Sequence, residues 1–511
     1  MKLVKITFLL SCNKKGTNMN SIGNLCGKSL CYSLLVFISI LIFSQQASGQ
    51  ISIKDRYWQY KGEPVLFVSG SGHGHNPFID HQMTTPNDGS DVSTEAEVIA
   101  HMDEMVGVGG NYLRCVLNPG MAHGIQGFRF CKRSGDKDDL NTMKGAFWSR
   151  LEWFISEAEK RNVVVQLEIW DRFDLIDGTW QAWPVSPFNP KNNVNYTSEQ
   201  SGLNTSYKSF KQHPFLKGVP GHPDYESASA SRKAQYDVVR EFQEKFVDKL
   251  VSITFKYDNV LYCMNNETHE HPAWGRYWIN YIRNKADSRG KEILLTDMFQ
   301  SINAGKIRNI YNSDVYDYVD ISQVNGNAPG ENHWNRVKGM TDAAREVNKL
   351  LHMTKIYGAD TAPASWEGNT DNAIGEMWRG LIAGVAGARF HRPPWGLGLA
   401  DEAKTCIAAV RKIGSKVKFW DVEPRRDLLK NREADEAYLA AKPGQAYILY
   451  FTAGGSGSVG LDLTDHDNKD FELSWVNIGS GEWGATATVS GGSTVTINRP
   501  DSGHWAAAIV R

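Results

Sequence analysis

The sequence predicts an α/β protein, a (β/α)8 TIM barrel followed by a small all-β sandwich, and two observations carry this reading. Between residues 65 and 417, eight short apolar runs alternate with helical patterns. From about residue 418 short strand patterns follow one another with no helix between them. The length of 511 residues fits two domains, since a single core rarely organises so long a chain.

Ahead of the barrel, "SLLVFISILIF" at residues 33 to 43 is apolar but too short to span a bilayer comfortably. Lys28 precedes it, and Ala47 and Gly49 in "SQQASGQ" fit the small-x-small rule for signal cleavage. These features predict a leader over residues 1–49, a mature start near Gln50, and export to the periplasm or beyond. Met19 offers an alternative start, and "FLLSC", ending at Cys12, raises a lipoprotein anchor as a second reading. No other stretch is long and apolar enough to span a membrane, so none is expected in the mature chain.

The barrel is assigned to residues 50–417. Its strand candidates are "VLFVS" (65–69), "NYLRCVL" (111–117), "VVVQLEIW" (163–170), "VLYCMN" (260–265), "EILLTDMF" (292–299), "YVDISQVN" (318–325), "KIYGAD" (355–360) and "GARFHR" (387–392). Val, Ile and Leu fill them without strict alternation, as in parallel strands buried on both faces. Between them, stretches such as "AFWSRLEWFISEAEKRN" and "DAAREVNKLLH" place apolar residues three and four apart, the spacing of an amphipathic helix. A long irregular insertion from about 171 to 230 follows the third strand, where such loops commonly help to build a site. The sandwich is assigned to residues 418–511, from "EAYLAAK" to "HWAAAIVR", with "TAGGSGSVG" (452–460) as an internal loop.

Lys and Arg number 56 against 57 Asp and Glu, a balance that gives no footprint for nucleic acid or an anionic membrane. The 16 Trp, 19 Tyr and 21 Phe serve large cores, and their faces also suit the C–H faces of sugar rings. Of seven Cys, Cys12, Cys26 and Cys31 leave with the leader. Cys115, Cys131, Cys263 and Cys406 match no zinc spacing and allow either a Cys115–Cys131 bridge or buried free thiols.

Barrel enzymes place their chemistry at the C-terminal ends of the strands. Those positions hold His73 and His75, then Arg114 and Asn118, then Glu168 and Asp171, and at the fourth strand Asn265, Asn266, Glu267, His269 and His271. Asp297 follows the fifth, Gln323 and Asn325 the sixth, Asp360 the seventh, and His391 and Arg392 the eighth. The His73-x-His75 pair raises a metal site, but a binuclear centre needs further ligands, and the fifth and sixth strand ends carry no His. These histidines read better as hydrogen-bonding groups of a pocket, and no metal or other cofactor is implied.

Three segments resemble a known family. Asn266-Glu267 in "NNETH" is similar to the Asn-Glu pair of the clan A glycoside hydrolases, and Arg114 in "NYLR" falls where that clan has an arginine. "GEMWRGLIAGVAGARFHRP", followed by "LSWVNIGSGEWGATATV" and "HWAAAIV", resembles bacterial clan A-like barrels that carry a C-terminal sandwich of the collagen-binding type. The resemblance implies Glu267 as general acid/base, Asn266 as a contact to the sugar beside the cleaved bond, and Arg114 as a support for the nucleophile.

Glycoside hydrolysis needs two carboxylates, roughly 5 Å apart for retention or roughly 6.5–9.5 Å apart for inversion. Glu267 suits the acid if a partly apolar pocket raises its pKa. Its partner departs from the clan, which has Glu at the end of the seventh strand where this chain has Asp360. Glu367 and Glu376 are the alternatives, although Glu376 reads as a first-turn helix residue with a structural explanation. His73, His75, Asn325, His391 and Trp395 are expected substrate contacts.

Other residues carry two readings. Glu168 is either a barrel-core group paired with Arg114 or a site support, and Asp297 is either a helix cap or a substrate contact. Trp170, Trp180, Trp183, Trp366 and Trp395 fall near the expected mouth, to stack on sugars or to pack loops. Arg172 and Arg392 would suit a carboxylate or sulfate on the substrate. The expectation is thus an exported glycoside hydrolase acting on a plant or algal polysaccharide or oligosaccharide. Carbohydrate is its partner, nucleic acid is not, and no oligomeric state is specified. The alternatives are a noncatalytic glycan-binding barrel and a polysaccharide lyase.

Overall fold

Among the described residues, eight parallel strands alternate with eight barrel helices as the sequence predicts: β1 (Phe67–Ser71), α1 (Glu95–Gly107), β2 (Tyr112–Val116), α2 (Ala146–Lys160), β3 (Val164–Asp171), α3 (Ala230–Thr254), β4 (Val260–Asn266), α4 (Pro272–Asp287), β5 (Leu295–Thr296), α5 (Ala304–Ile310), β6 (Tyr318–Asp320), α6 (Glu331–Glu346), β7 (Leu350–Ile356), α7 (Thr370–Ile382), β8 (Gly387–His391) and α8 (Asp401–Lys416). The computed structural model describes residues 50–71, 77–78, 93–117, 119–120, 128–178, 182–268, 271–325, 329–357, 369–391 and 399–511.

The strands form two arcs, β2-β3-β4-β5 and β6-β7-β8-β1, with every pair parallel. Hydrogen bonds close the seams. The Asn111 amide donates to the Val68 carbonyl (3.0 Å) between β1 and β2, and the Asp317 amide to the Leu295 carbonyl (2.9 Å) between β5 and β6. An antiparallel hairpin of three strands, Ile51–Lys54, Tyr57–Tyr60 and Glu63–Val65, precedes β1. Its Trp58 is fully buried against Phe67 (5.2 Å between centroids) and Tyr318 (5.0 Å), the first residues of β1 and β6, and so covers the N-terminal end of the barrel.

The seventh unit differs from the expectation in register. The "DAAREVNKLLH" pattern predicts a helix reaching His352, with the strand only at 355–360. Instead α6 ends at Glu346, and Asn348, in the left-handed region at φ 51°, turns the chain into β7 at Leu350. Apolar residues at a strand start can mimic one more helical turn. The shift makes Lys355 the penultimate residue of a buried strand rather than its first.

The insertion after β3 has little regular structure but is cross-linked by asparagines. Asn189 Nδ2 donates to the carbonyls of Trp183 and Thr205 (3.0 Å each), and Asn193 Nδ2 to those of Pro187 (3.0 Å) and Asn189 (3.1 Å).

Beyond α8 all seven predicted strand patterns are strands, in a six-stranded antiparallel sheet facing a three-stranded one. The larger sheet turns its other face to the barrel, where Tyr450 stacks on Trp378 of α7 (5.6 Å, 18°) and Tyr438 packs on Trp334 of α6 (4.7 Å). Tyr438, Ile448 and Tyr450 belong to the same buried cluster as the barrel helices. Cys115, Cys131, Cys263 and Cys406 are all buried free thiols, so the alternative of a Cys115–Cys131 bridge is set aside.

Candidate active site

Three adjacent strands bring Arg114, Glu168 and Asn266 together at the C-terminal end of the barrel. In the β2–β3 register Val116 lies beside Glu168, and Asp171 of β3 lies beside Asn266 of β4. Arg114 grips Glu168 with both prongs of its guanidinium, Nε to Oε1 at 2.6 Å and Nη2 to Oε2 at 2.5 Å. Nη2 also donates to Asn266 Oδ1 at 2.8 Å, while Asn266 Nδ2 donates to Asp171 Oδ1 at 3.0 Å. All four side chains are buried. The mutual neutralisation of Arg114 and Glu168 is what lets two charges sit there, and it realises the paired reading of Glu168.

Glu267 follows directly where β4 ends. Its φ of 57° places it in the left-handed region, uncommon for a residue with a Cβ and frequent at functional turns. The turn swings its carboxylate across the barrel mouth. There Oε1 accepts from Lys355 Nζ and from Gln323 Nε2 (2.9 Å), and Oε2 pairs with Arg172 Nη2 at 2.9 Å. Lys355 Nζ also donates to Asn266 Oδ1 at 2.7 Å.

These neighbours overturn the expectation of a raised Glu267 pKa. Burial does push the carboxyl upward and is the largest single influence, but Lys355, Arg172 and Arg114 together outweigh it and hold it down at about 2. At rest Glu267 is an anion clasped by two cations. Burial works in the same sense on Lys355, drawing its ammonium below the usual lysine range against the pull of Glu267.

Sequence reasoning missed Lys355. It lies inside "LLHMTKI", and a lysine at the assumed start of a strand reads as solvent-facing. A signal was available, because moving that strand back to residue 350 carries Lys355 to the C-terminal end, where barrel side chains converge.

Several expected positions have other roles. Asn325 is buried with both amide ends engaged: Nδ2 donates to the Lys355 carbonyl, and Oδ1 faces His333 Nε2 at 2.9 Å. It braces β7 from the side rather than presenting its amide to a ligand. The same chain of contacts continues outward. Arg379 Nε approaches His333 Nδ1 (3.5 Å), Arg379 Nη1 donates to Asp435 of the sandwich (3.0 Å), and Tyr438 donates to the same Asp435 oxygen (2.7 Å).

His391, at the end of β8, is buried with Nδ1 3.2 Å from Arg389 Nη1 and its ring edge-on to Tyr357 at 5.0 Å. Asp297 caps no helix, since the N-cap of α5 is Asn303. Its Oδ1 instead accepts from Asn265 Nδ2 (2.6 Å) and the Met298 amide (2.9 Å), and burial pushes its pKa up to about 7. Asn265 in turn accepts from Trp274 Nε1 of α4 at 2.9 Å, so the group locks α4 to the strands.

Glu376 is not in a first turn. Helix α7 is capped by Asn369, and Glu376 lies in its middle, buried, hydrogen-bonded to Asn372 (3.1 Å) and pushed up to about 8 by burial. Trp170 and Trp183 are buried, Trp170 between its strand, the α3 and α4 helices and the insertion, and Trp183 within the insertion. Trp170 sits among Phe188, Phe215, Phe246 and Trp278, and Trp183 against His213 and Tyr207. His73, His75, Asn118, His269, Asp360, Glu367, Arg392, Trp180, Trp366 and Trp395 lie outside the described residues. Among the described residues no cluster of three His, Cys, Asp or Glu side chains could hold a metal ion.

No family model matches the sequence, and no curated protein does. The fold has clear likenesses among solved structures. A glycoside hydrolase family 5 protein from Bacteroides vulgatus superposes with a TM-score of 0.58 at 11% identity, covering 90% of this chain and 92% of its own. A second protein, described as a glycoside hydrolase, gives 0.57 at 10% identity, over 90% of this chain and 97% of its own. Both overlaps exceed the barrel alone. The chain therefore has the fold of the clan A-like glycoside hydrolase barrels with a sandwich appended, as the short motifs imply; these likenesses do not show the collagen-binding type of the sandwich.

Proposed function

We propose that this chain is an exported glycoside hydrolase acting on a plant or algal glycan, with Glu267 as the acid/base and Asp360, on the β7–α7 connection, as the second carboxylate. The observation that carries the reading is the position of Glu267. It stands at the C-terminal end of β4, turned across the mouth by a left-handed φ, above a buried frame of Asn266, Arg114 and Glu168 in a fold shared with glycoside hydrolases.

In this mechanism Glu267 protonates the leaving oxygen while the Asp360 carboxylate attacks the anomeric carbon, and Glu267 then takes a proton from water as that water attacks the same carbon and expels Asp360. A carboxyl held near 2 carries almost no proton at neutral pH, so substrate must loosen the clasp of Lys355 and Arg172 before Glu267 can serve as an acid. Burial, freed of those opposing charges, then supplies the upward push. Gln323, whose Nε2 reaches Glu267, is the polar group best placed to orient the sugar, and Asn266, fixed by Arg114 and Asp171, supports the site from beneath.

The test is release of reducing ends from a panel of plant and algal glycans by the mature chain, with Glu267→Gln in parallel. Turnover that falls by 10³-fold or more in the variant supports the assignment; the scale is that of general acid–base catalysis, roughly 10²–10⁴-fold. Equal turnover in both proteins refutes Glu267 as the acid/base, and products absorbing in the near ultraviolet would replace hydrolysis by eliminative cleavage. One observation favours a second reading, a noncatalytic glycan-binding barrel: the Lys355–Glu267 pair as it stands neutralises the carboxylate that hydrolysis needs. Binding without turnover, unchanged in Glu267→Gln, would establish it.

A further inference from the structure

Arg172 is placed differently from Arg114. Arg114 engages a carboxylate with the full Nε–Nη2 edge of its guanidinium, the planar fork that matches two carboxylate oxygens. Arg172 uses only half of the same edge. Its Nη2 meets Glu267 Oε2 at 2.9 Å, while Nε is buried and has no partner among the described residues. The guanidinium is nonetheless held in place, stacked over Phe173 (4.6 Å) and Phe210 (5.6 Å). A buried donor without an acceptor is destabilising, and a fixed fork with one prong empty is short of one oxygen. Glu267 cannot supply it, because its other oxygen faces Lys355 and Gln323.

Resting on the hydrolase reading, we propose that the site takes a sugar bearing a carboxylate, a uronic acid residue, whose two oxygens occupy the Nε–Nη2 edge of Arg172. The ligand carboxylate completes the fork and displaces Glu267 Oε2 from Nη2. One of the two cations restraining Glu267 is thereby taken up by substrate, so recognition of the acidic sugar and release of Glu267 are a single event. A carboxylate is favoured over a sulfate ester because a carboxylate is what the donors hold at rest, and its planar pair of oxygens matches the guanidinium plane.

The experiment uses the mature chain carrying Glu267→Gln, which removes the internal competitor and blocks the proposed chemistry. It is titrated calorimetrically with oligogalacturonides and oligoglucuronides, with their methyl esters, and with the corresponding sulfated neutral oligosaccharides. The free acids are expected to bind at least tenfold more tightly than their esters, and more tightly to Glu267→Gln than to the unsubstituted chain. Adding Arg172→Met should abolish the difference. Arg172→Lys, which keeps the charge and loses the fork, should keep only part of it and serves should Met unsettle the loop.

Equal or absent binding of acid and ester overturns the proposal, as does an acid preference that survives Arg172→Met. Preference for the sulfated sugars overturns the choice of carboxylate. The hydrolase reading fails separately: a chain that binds uronates through Arg172 but releases no reducing ends refutes hydrolysis alone. Turnover of neutral glycans that depends on Glu267, with no acid preference, refutes this inference alone.

Discussion

Removing the ammonium of Lys355 should reverse the way Glu267 responds to pH. In the unfolded chain its carboxyl titrates near the ordinary 4.5, and in the native protein near 2. At roughly 1.4 kcal/mol per unit, this depression contributes about 3 kcal/mol of stability at neutral pH. The unfolded state binds the proton first as pH falls, so that stability is complete above about pH 5 and drains away as the pH approaches 2. Two unit charges ~4 Å apart attract by roughly 4 kcal/mol at an effective dielectric constant of 20, equivalent to about three pKa units. Lys355→Met removes an attraction of that order and leaves burial, the largest influence on Glu267, opposed mainly by Arg172 and Arg114. The native pKa should then rise to or above 4.5, and acid should no longer destabilise the protein through this group. Denaturant unfolding of residues 50–511 between pH 3 and 7 measures the effect, with Lys355→Met/Glu267→Gln as the reference from which Glu267 is absent. If the unsubstituted protein and Lys355→Met lose the same stability between pH 5 and pH 3, the ion pair does not control Glu267 and the account of the site fails.

Further outcomes follow from the frame around it. Glu168→Gln strands the buried Arg114 charge, and breaking one side of such a pair costs about 3–5 kcal/mol, visible as a lowered thermal midpoint. Asp297, raised to about 7, behaves oppositely to Glu267. Its native form keeps a proton that the unfolded form loses near 4, so stability falls as pH rises from about 4 to 7, by about 4 kcal/mol. Asp297→Asn should flatten that slope in the same unfolding series, and an unchanged slope would refute the assignment. Trp378→Ala removes a buried ring stacked on Tyr450 and should cost about 3–5 kcal/mol, with limited proteolysis cutting first between barrel and sandwich.

The architecture was legible because parallel barrel strands have no solvent face. Runs such as "VVVQLEIW" and "VLYCMN" can only be buried, and the helical patterns between them leave one topology. Asn266 and Glu267 stand out in the sequence as polar residues at the end of an apolar strand, whereas Arg114, in the middle of its strand, was singled out by the resemblance. Lys355 was not legible, because Leu350 and Leu351 continue the apolar spacing of α6, and only the left-handed turn at Asn348 separates helix from strand. Nor could sequence supply the sign of the Glu267 shift. That sign depends on three cations, Lys355, Arg172 and Arg114, that lie 88, 95 and 153 residues away in the chain, beyond the reach of any local pattern.

The sandwich belongs to this electrostatic arrangement as well as to the stability of the chain. Asp435 holds Arg379 of α7, and burial together with the Arg379 and Arg336 charges keeps His333 neutral. A neutral ring that accepts from Arg379 at Nδ1 must carry its proton on Nε2, so it donates to Asn325 Oδ1 and leaves the Asn325 amide to hold the Lys355 carbonyl. Glu331, at the start of α6, ties the same corner down through Arg432 (2.9 Å) and Tyr438 (3.2 Å). The backbone at Lys355 is thereby tied through Asn325, His333 and Arg379 to Asp435 of the sandwich.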